Sequence, residues 1–309
     1  MKQQLALPPA ESEEDFDEIT DDDLRPGVEA LCRDLGADVS GLHPFPAGSL
    51  PVYAAGRLVL KLFPEVYVED LPVEAGVLAA VHGKLPIPTP GVHAVGERDG
   101  WGYILMDRLR GESLEIDWDA LGPAARDGLA TQLGEAMAVL HGLPHPEIDD
   151  WWPDDWAGFV AQQRAMCVAR HQGLGLAPAW VEQIRPFLDS VELRESGPVL
   201  LHTEIMRQHL LVAPEGNRLT GLFDFEPAMR GAAEYEFVGL GCFVAEGDAR
   251  FLGRALRAYG IEPDAAFRRR MMAWTLLHYY SNVRKYLDRL PDPDEPTFES
   301  LADRWYATD

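Results

Sequence analysis

Three stretches of this sequence set charged groups in the kind of apolar context that fixes their position. Lys61 stands in Val59-Leu60-Lys61-Leu62-Phe63, a run with the composition of a strand. Burying an ammonium without a partner is costly, and Glu74, on the helical segment that follows, is the candidate partner. The second stretch ends a short apolar strand on His202-Thr203-Glu204 and resumes an apolar strand after His209. The third closes the strand Leu219-Thr220-Gly221-Leu222-Phe223 on Asp224, followed by Phe225 and Glu226. Phosphoryl transfer asks for such parts: a cation on the donor phosphates, carboxylates for magnesium, and a group to orient the acceptor hydroxyl. Taken singly, each has a plainer reading. Lys61 would be a strand lysine facing solvent, and Asp224 a turn former at a strand end.

The surrounding pattern predicts the elements that must hold these groups. Glu11 to Asp23 is an acidic run expected to be solvated and partly disordered, and Pro26 to Leu35 has helical spacing. Strands are expected at 52–54 and 58–63, a helix over 73–82, and an extended connection through Pro86, Pro88 and Pro90. Two more strands, 91–95 and 101–106, flank a turn at 97–100. From Pro123 the periodicity becomes helical: 124–141, 151–172, 178–191, and helices from Tyr235 onward, with 267–286 the longest. Between them lie a strand at 199–202 and a hairpin of 210–213 with 219–225. The expected fold class is α+β, with a small β-rich lobe and a mainly helical one. The expected divisions are an acidic extension at 1–25, a nucleotide-binding lobe at 26–110, and a helical lobe at 111–309 carrying the catalytic loop and acceptor site.

The chain has 309 residues and a formal charge of −24. That balance excludes nucleic acid as the expected partner, since such binding needs concentrated Lys and Arg. It favours cationic ligands through the summed field, although surface carboxylates serving solubility alone give the same number. No stretch of about eighteen apolar residues suggests a membrane span. The N-terminal residues lack the basic start and apolar core of a signal peptide. Cys32, Cys167 and Cys242 are far apart and read as buried thiols in a reducing compartment. The expected location is cytoplasmic.

The order Lys61, Glu74, His202, Glu204, His209, Asp224-Phe225 follows the kinase signature of a strand lysine, a helix glutamate, His-x-Asp with a later Asn, and Asp-Phe-Gly. Together with Leu85 to Pro90, Gly102 to Gly111, Leu133 to His141 and Gly231 to Val238, the chain resembles the aminoglycoside phosphotransferase family, which has a protein-kinase-like fold. It is most similar to hygromycin B phosphotransferases, and the likeness runs from about Val52 to about Val244. The resemblance implies that Lys61, paired with Glu74, holds nucleotide phosphates, that Ser49 lies in the loop over them, and that Met106, Asp107 and Leu109 form the hinge at the base. It puts Glu204 in the place of the catalytic aspartate and His209 in that of a metal-binding asparagine. It makes Asp224 a metal ligand, with Glu226 as an added carboxylate, and Glu236 a brace for the loop. The implied cofactors are ATP or GTP with Mg2+ or Mn2+.

Three functional readings stay open on the residues. The first is an ATP-dependent phosphotransferase acting on an alcohol group, with a cationic, hydroxylated acceptor such as a hygromycin-like aminoglycoside. The second is a kinase-fold protein that binds nucleotide or another small ligand without transfer. The third is a metal-dependent enzyme built on His202, Glu204 and His209. A polycationic acceptor calls for carboxylates, and Asp154, Asp155, Glu246, Asp248 and Asp288 are the candidates. Trp151, Trp152, Trp156, Tyr279 and Tyr280 are either ligand-stacking or core aromatics.

Overall fold

The computed structural model describes residues 7–46, 48–149, 151–194 and 197–308. The acidic run is ordered where it is described. Ser12 and Thr20 each accept an N–H from an aspartate three residues on and receive that carboxylate on their own amides. These reciprocal caps start α1 (Glu13–Glu18) and α2 (Asp21–Asp34). The acidic residues fill the first turn of each helix, where the helix dipole favours negative charge. Leu7, Ala10, Leu24, Val28 and Leu31 are buried in one apolar cluster with strand residues Tyr53, Leu60 and Leu62. Composition alone misses this, because capping and a few buried anchors outweigh a polar average. Residues 1–6 of the expected extension lie outside the described residues.

The sheet beneath is antiparallel, in the order β1-β2-β3-β5-β4. Its strands are β1 (His43–Pro44), β2 (Val52–Ala55), β3 (Leu58–Phe63), β4 (Val92–Arg98) and β5 (Trp101–Asp107). Helix α3 (Leu71–Val81) follows β3. The central strand β3 is buried along its whole length, as its apolar composition demands. Its register sets Lys61 between Val52 of β2 and Ile104 of β5.

The remainder is helical, with two small sheets at its border with the first lobe. β6 (Glu112–Ser113) joins β8 (Leu210–Val212) and β9 (Leu219–Leu222), while β7 (Val199–Leu201) pairs with β10 (Met229–Gly231). The helices are α4 (Leu114–Asp117), α5 (Pro123–Gly142), α6 (Trp156–Gly173), α7 (Pro178–Asp189), α8 (Ala233–Gly239), α9 (Ala249–Tyr259), α10 (Ala265–Leu277), α11 (Val283–Arg289) and α12 (Phe298–Trp305). The chain is thus an α+β, two-lobed, kinase-like fold.

Two expected helices differ. α6 begins at Trp156, after Pro153, because Pro restrains the residue before it from helical conformation. The long helix over 267–286 is two helices, α10 and α11, parted at His278–Asn282. Tyr279 N–H leaves the helix to bond the Tyr235 hydroxyl at 2.8 Å, and the Asn282 side chain caps α11.

Truncating Leu24 tests whether the acidic helices belong to the fold. Leu24→Ala removes a side chain 2% exposed and is expected to cost about 2–5 kcal/mol in urea unfolding. A detached acidic arm would show less than about 0.5 kcal/mol, the size of a surface substitution.

Candidate active site

Lys61 is 4% exposed and Glu74, reaching from α3, is 1% exposed. Lys61 Nζ lies 2.7 Å from Glu74 Oε2, 2.7 Å from Asp224 Oδ1 and 3.3 Å from Glu226 Oε2. Burial alone would lower the affinity of Lys61 for its proton, but the three carboxylates, Glu74 foremost, outweigh it and raise the pKa. Burial pushes Glu74 up to about 7 against the pull of Lys61. Burial also works on Asp224, yet Lys61 and then His209 prevail and hold it at about 2.

Asp224 comes to Lys61 because β9 stops at Leu222 and the chain turns, with Asp224 in the left-handed region at φ +70°. Thr203 has φ +69°. A β-branched residue rarely adopts that conformation, and such strain costs on the order of 1–3 kcal/mol. Buried bonds hold it. Glu236 of α8, fully buried, accepts the His202 amide at 2.5 Å and the Thr203 amide at 2.9 Å. The Thr203 hydroxyl donates to the Pro227 carbonyl at 2.8 Å. Gly239 lets α8 approach this loop, since a Cβ there would stand 2.9 Å from the Ile205 carbonyl oxygen.

His202 is fully buried, and burial depresses its pKa. Its Nε2 is 2.9 Å from the Phe223 carbonyl and its Nδ1 accepts the Glu204 amide at 3.3 Å. Both ring nitrogens are therefore spent on backbone, which removes His202 from any metal set. His209 Nδ1 lies 2.8 Å from the Glu204 carbonyl, an acceptor only, so this nitrogen carries the hydrogen. Its Nε2 points to Asp224 Oδ2 at 3.2 Å. The imidazole thus stands between the loop backbone and the Asp224 carboxylate, and its Nε2 accepts from the Gln208 side-chain amide at 3.3 Å.

Oxygens of Glu74, Asp224 and Glu226 lie within 4.8 Å of one another. His209 stands beside this group, on the other oxygen of Asp224, and Glu74 occupies the position in it that sequence reasoning gave to the imidazole. Glu204 is half-buried and lines a cavity of about 220 Å³ together with Phe243, His278, Tyr280, Asn282 and Lys285. Burial first, then the charges of Asp224 and Glu226, push its carboxyl up to about 7, partly offset by Lys61.

Ser49 is exposed in the β1–β2 loop, whose end runs beside Lys61 through the pairing of Pro51 and Val52 with β3. Met106 is buried in the core. Asp107 accepts the Gly91 amide at 3.1 Å and faces His93 Nε2 at 2.8 Å. The Asp107 and Arg108 amides bond Gly91 and Arg57 carbonyls, so a base meeting this edge through an amide would find Leu109 next along the chain.

Three of the five carboxylates expected around an acceptor are engaged by arginines. Glu246 pairs with Arg207 at 2.9 Å and Arg289 at 3.7 Å. Asp248 caps α9 and faces Arg126 at 3.6 Å. Asp288 pairs with Arg284, and Asp154 and Asp155 are exposed ahead of α6. Trp151 is core, donating to the Ala228 carbonyl, whereas Trp152, Tyr279 and Tyr280 are exposed. The cavity residues His278, Asn282 and Lys285 escaped sequence reasoning; the capping residue Asn282 was the available signal.

The profile of the Phosphotransferase enzyme family (APH) matches residues 42–274. Similar solved structures include the streptomycin-ATP-APH(2")-IIa ternary complex, 19% identical, covering 91% of this chain and 97% of that one, with a TM-score of 0.59. Another is a thermostable mutant of aminoglycoside phosphotransferase APH(4)-Ia in ternary complex with ADP and hygromycin B, at 19% identity, 90% and 95% coverage, and a TM-score of 0.59. A choline/ethanolamine kinase family protein from Mesorhizobium loti matches at 18% identity, 90% and 99% coverage, and a TM-score of 0.55. These likenesses are of fold. The family match spans most of the chain, from ahead of Lys61 to beyond Glu236, and this chain belongs to the phosphotransferase enzyme family.

Proposed function

We propose that this chain moves the γ-phosphate of ATP or GTP to a hydroxyl of a small molecule. The carrying observation is the meeting of Lys61, Glu74, Asp224 and Glu226 beside the loop that presents Glu204. In this reading Lys61, held by Glu74, binds the nucleotide phosphates beneath the Ser49 loop, and the Met106–Leu109 edge meets the base. Asp224 and Glu226, with Glu74 adjoining, supply carboxylate oxygens that suit Mg2+ or Mn2+. Such a cation, when bound, neutralises charge on the phosphates. His209 offers Nε2 from the far side of Asp224, a nitrogen that Mn2+ tolerates better than Mg2+.

Glu204 accepts the proton of the acceptor hydroxyl. That oxygen bonds to the γ-phosphorus as the β–γ bridging P–O bond breaks, the nucleoside diphosphate leaves, and the proton passes from Glu204 to solvent. Three buried free thiols accord with the cytoplasm, where nucleotide is also supplied. Two of the similar structures hold aminoglycosides, streptomycin and hygromycin B, and a hygromycin-like acceptor, with the antibiotic resistance it would confer, is the reading they suggest. The side chains around Glu204 favour another charge, argued below.

The second reading, nucleotide binding without transfer, draws on the extra carbon of Glu204, about 1.5 Å. A misplacement of about 1 Å can cost on the order of a hundredfold in rate. The third reading loses its support with His202, whose nitrogens serve backbone.

Asp224→Ala is expected to bring acceptor phosphorylation to background while circular dichroism stays unchanged; transfer that survives would remove Asp224 from the chemistry. A base must be deprotonated, so kcat/KM should rise with pH through a midpoint near 7, the value toward which Glu204 is pushed, and level off above it. A bound cation moves this limb to lower pH, and Glu204→Gln should abolish it. His209→Asn should raise the ratio of Mg2+-supported to Mn2+-supported rate; an unchanged ratio would place His209 outside the metal's reach.

A further inference from the structure

The cavity beside Glu204 differs in charge from what a polycation needs. Glu204 and Lys285 are its two charged lining residues. Lys285 is exposed, and among the described residues no carboxylate lies within ion-pair distance of it. Its neighbours on α11 differ: Arg284 pairs with Asp288, and Arg289 faces Glu246. Phe243, Tyr280 and Tyr286 put three rings in the remaining wall. Phe243 and Tyr286 meet edge to face at 5.5 Å. Tyr280, 53% exposed, contacts Tyr279 at 4.9 Å, which contacts Trp152 at 5.2 Å. Exposed aromatics that adjoin one another mark binding surfaces more often than scattered ones do. His278, which burial holds at about 4, adds no charge near neutral pH.

On the footing of the function proposed above, we infer that the acceptor carries one anionic oxygen group, carboxylate or phosphate, bound by Lys285, with an apolar or aromatic body against Tyr280. The hydroxyl then faces Glu204 from within the same cavity. On the cavity wall itself a polycation meets one carboxylate, Glu204, and one repelling ammonium, and the Asp224 and Glu226 carboxylates beyond Glu204 are engaged by Lys61. The overall charge of −24 does not decide the matter, because exposed charges are screened beyond about 8 Å at physiological ionic strength. Size agrees. About 220 Å³ falls below the roughly 300–1,000 Å³ common for drug-sized ligands, so the cavity suits a compact acceptor rather than several linked amino sugars.

Four probes share a phenyl ring and a secondary hydroxyl: 2-hydroxy-2-phenylacetate, its methyl ester, 2-hydroxy-2-phenylethyl phosphate, and 2-amino-1-phenylethanol. Kanamycin serves as a polycationic comparison. Phosphorylation is read as acceptor-dependent ADP release, and binding by calorimetry with ADP present. At least one anion is expected to exceed the ester and the amine tenfold or more in kcat/KM and in affinity, and the better anion identifies the group. Lys285→Gln should erase that advantage, with the loss falling on KM, and Lys285→Glu should turn preference toward the amine. Preference of the wild type for the amine or kanamycin, binding of none of the probes, or discrimination that survives Lys285→Gln overturns the inference. Anion-selective binding without phosphorylation of any probe would sustain it while counting against transfer itself, so the two failures are distinguishable.

Discussion

Lys61 carries a full charge in a strand that is buried from end to end. An ammonium in that position is tolerable only with carboxylates around it, and breaking such a pair typically costs about 3–5 kcal/mol. The carboxylates come from α3 of the same lobe and from the turn after β9 in the other, so the pairing is also a fastener between lobes. Three acidic groups against one cation leave negative charge over. Burial first, and then that surplus, push Glu74 and Glu204 toward neutral pH, while Asp224, which faces both the ammonium and the imidazole, remains acidic. A divalent cation is the natural complement to such an imbalance.

The loop that presents Glu204 depends on a second buried charge. Glu236 takes two successive amides, and His202 ties the loop to the Phe223 carbonyl next to Asp224. Thr203 and Asp224, both in the left-handed region, sit on either side of this tie. Strain at two adjoining positions persists only where packing and hydrogen bonds over-determine the backbone. The surrounding bonds meet that condition, and His209, held on the Glu204 carbonyl, packs between that loop and Asp224.

Much of this was legible in the residues. Strands β2, β3 and β5 and helices α3 and α5 follow alternation and helical spacing closely, and the Lys61–Glu74 pair followed from the cost of an unpaired ammonium. The order of the acidic and imidazole groups was equally visible. Two things were not. The ordering of the acidic helices rests on reciprocal caps at Ser12 and Thr20 that a mean composition dilutes. The break at His278–Asn282 lies inside an apolar period that continues in phase across it, so periodicity reads one helix where there are two.

That break bears on what the enzyme can select. The nucleotide side of the cleft is built on strands and on the braced loop, whose geometry follows from burying Lys61 and Glu236. In the proposed reading the acceptor side is the cavity beside Glu204, lined in part by Tyr280 and Asn282 of the turn between α10 and α11 and by Lys285 of α11. The connection is anchored by one tyrosine hydroxyl and one asparagine cap, so Asn282 both starts α11 and lines the cavity. In the proposed reading, acceptor charge is set by a few side chains around Glu204, and the net charge of the chain, screened beyond about 8 Å, does not determine it.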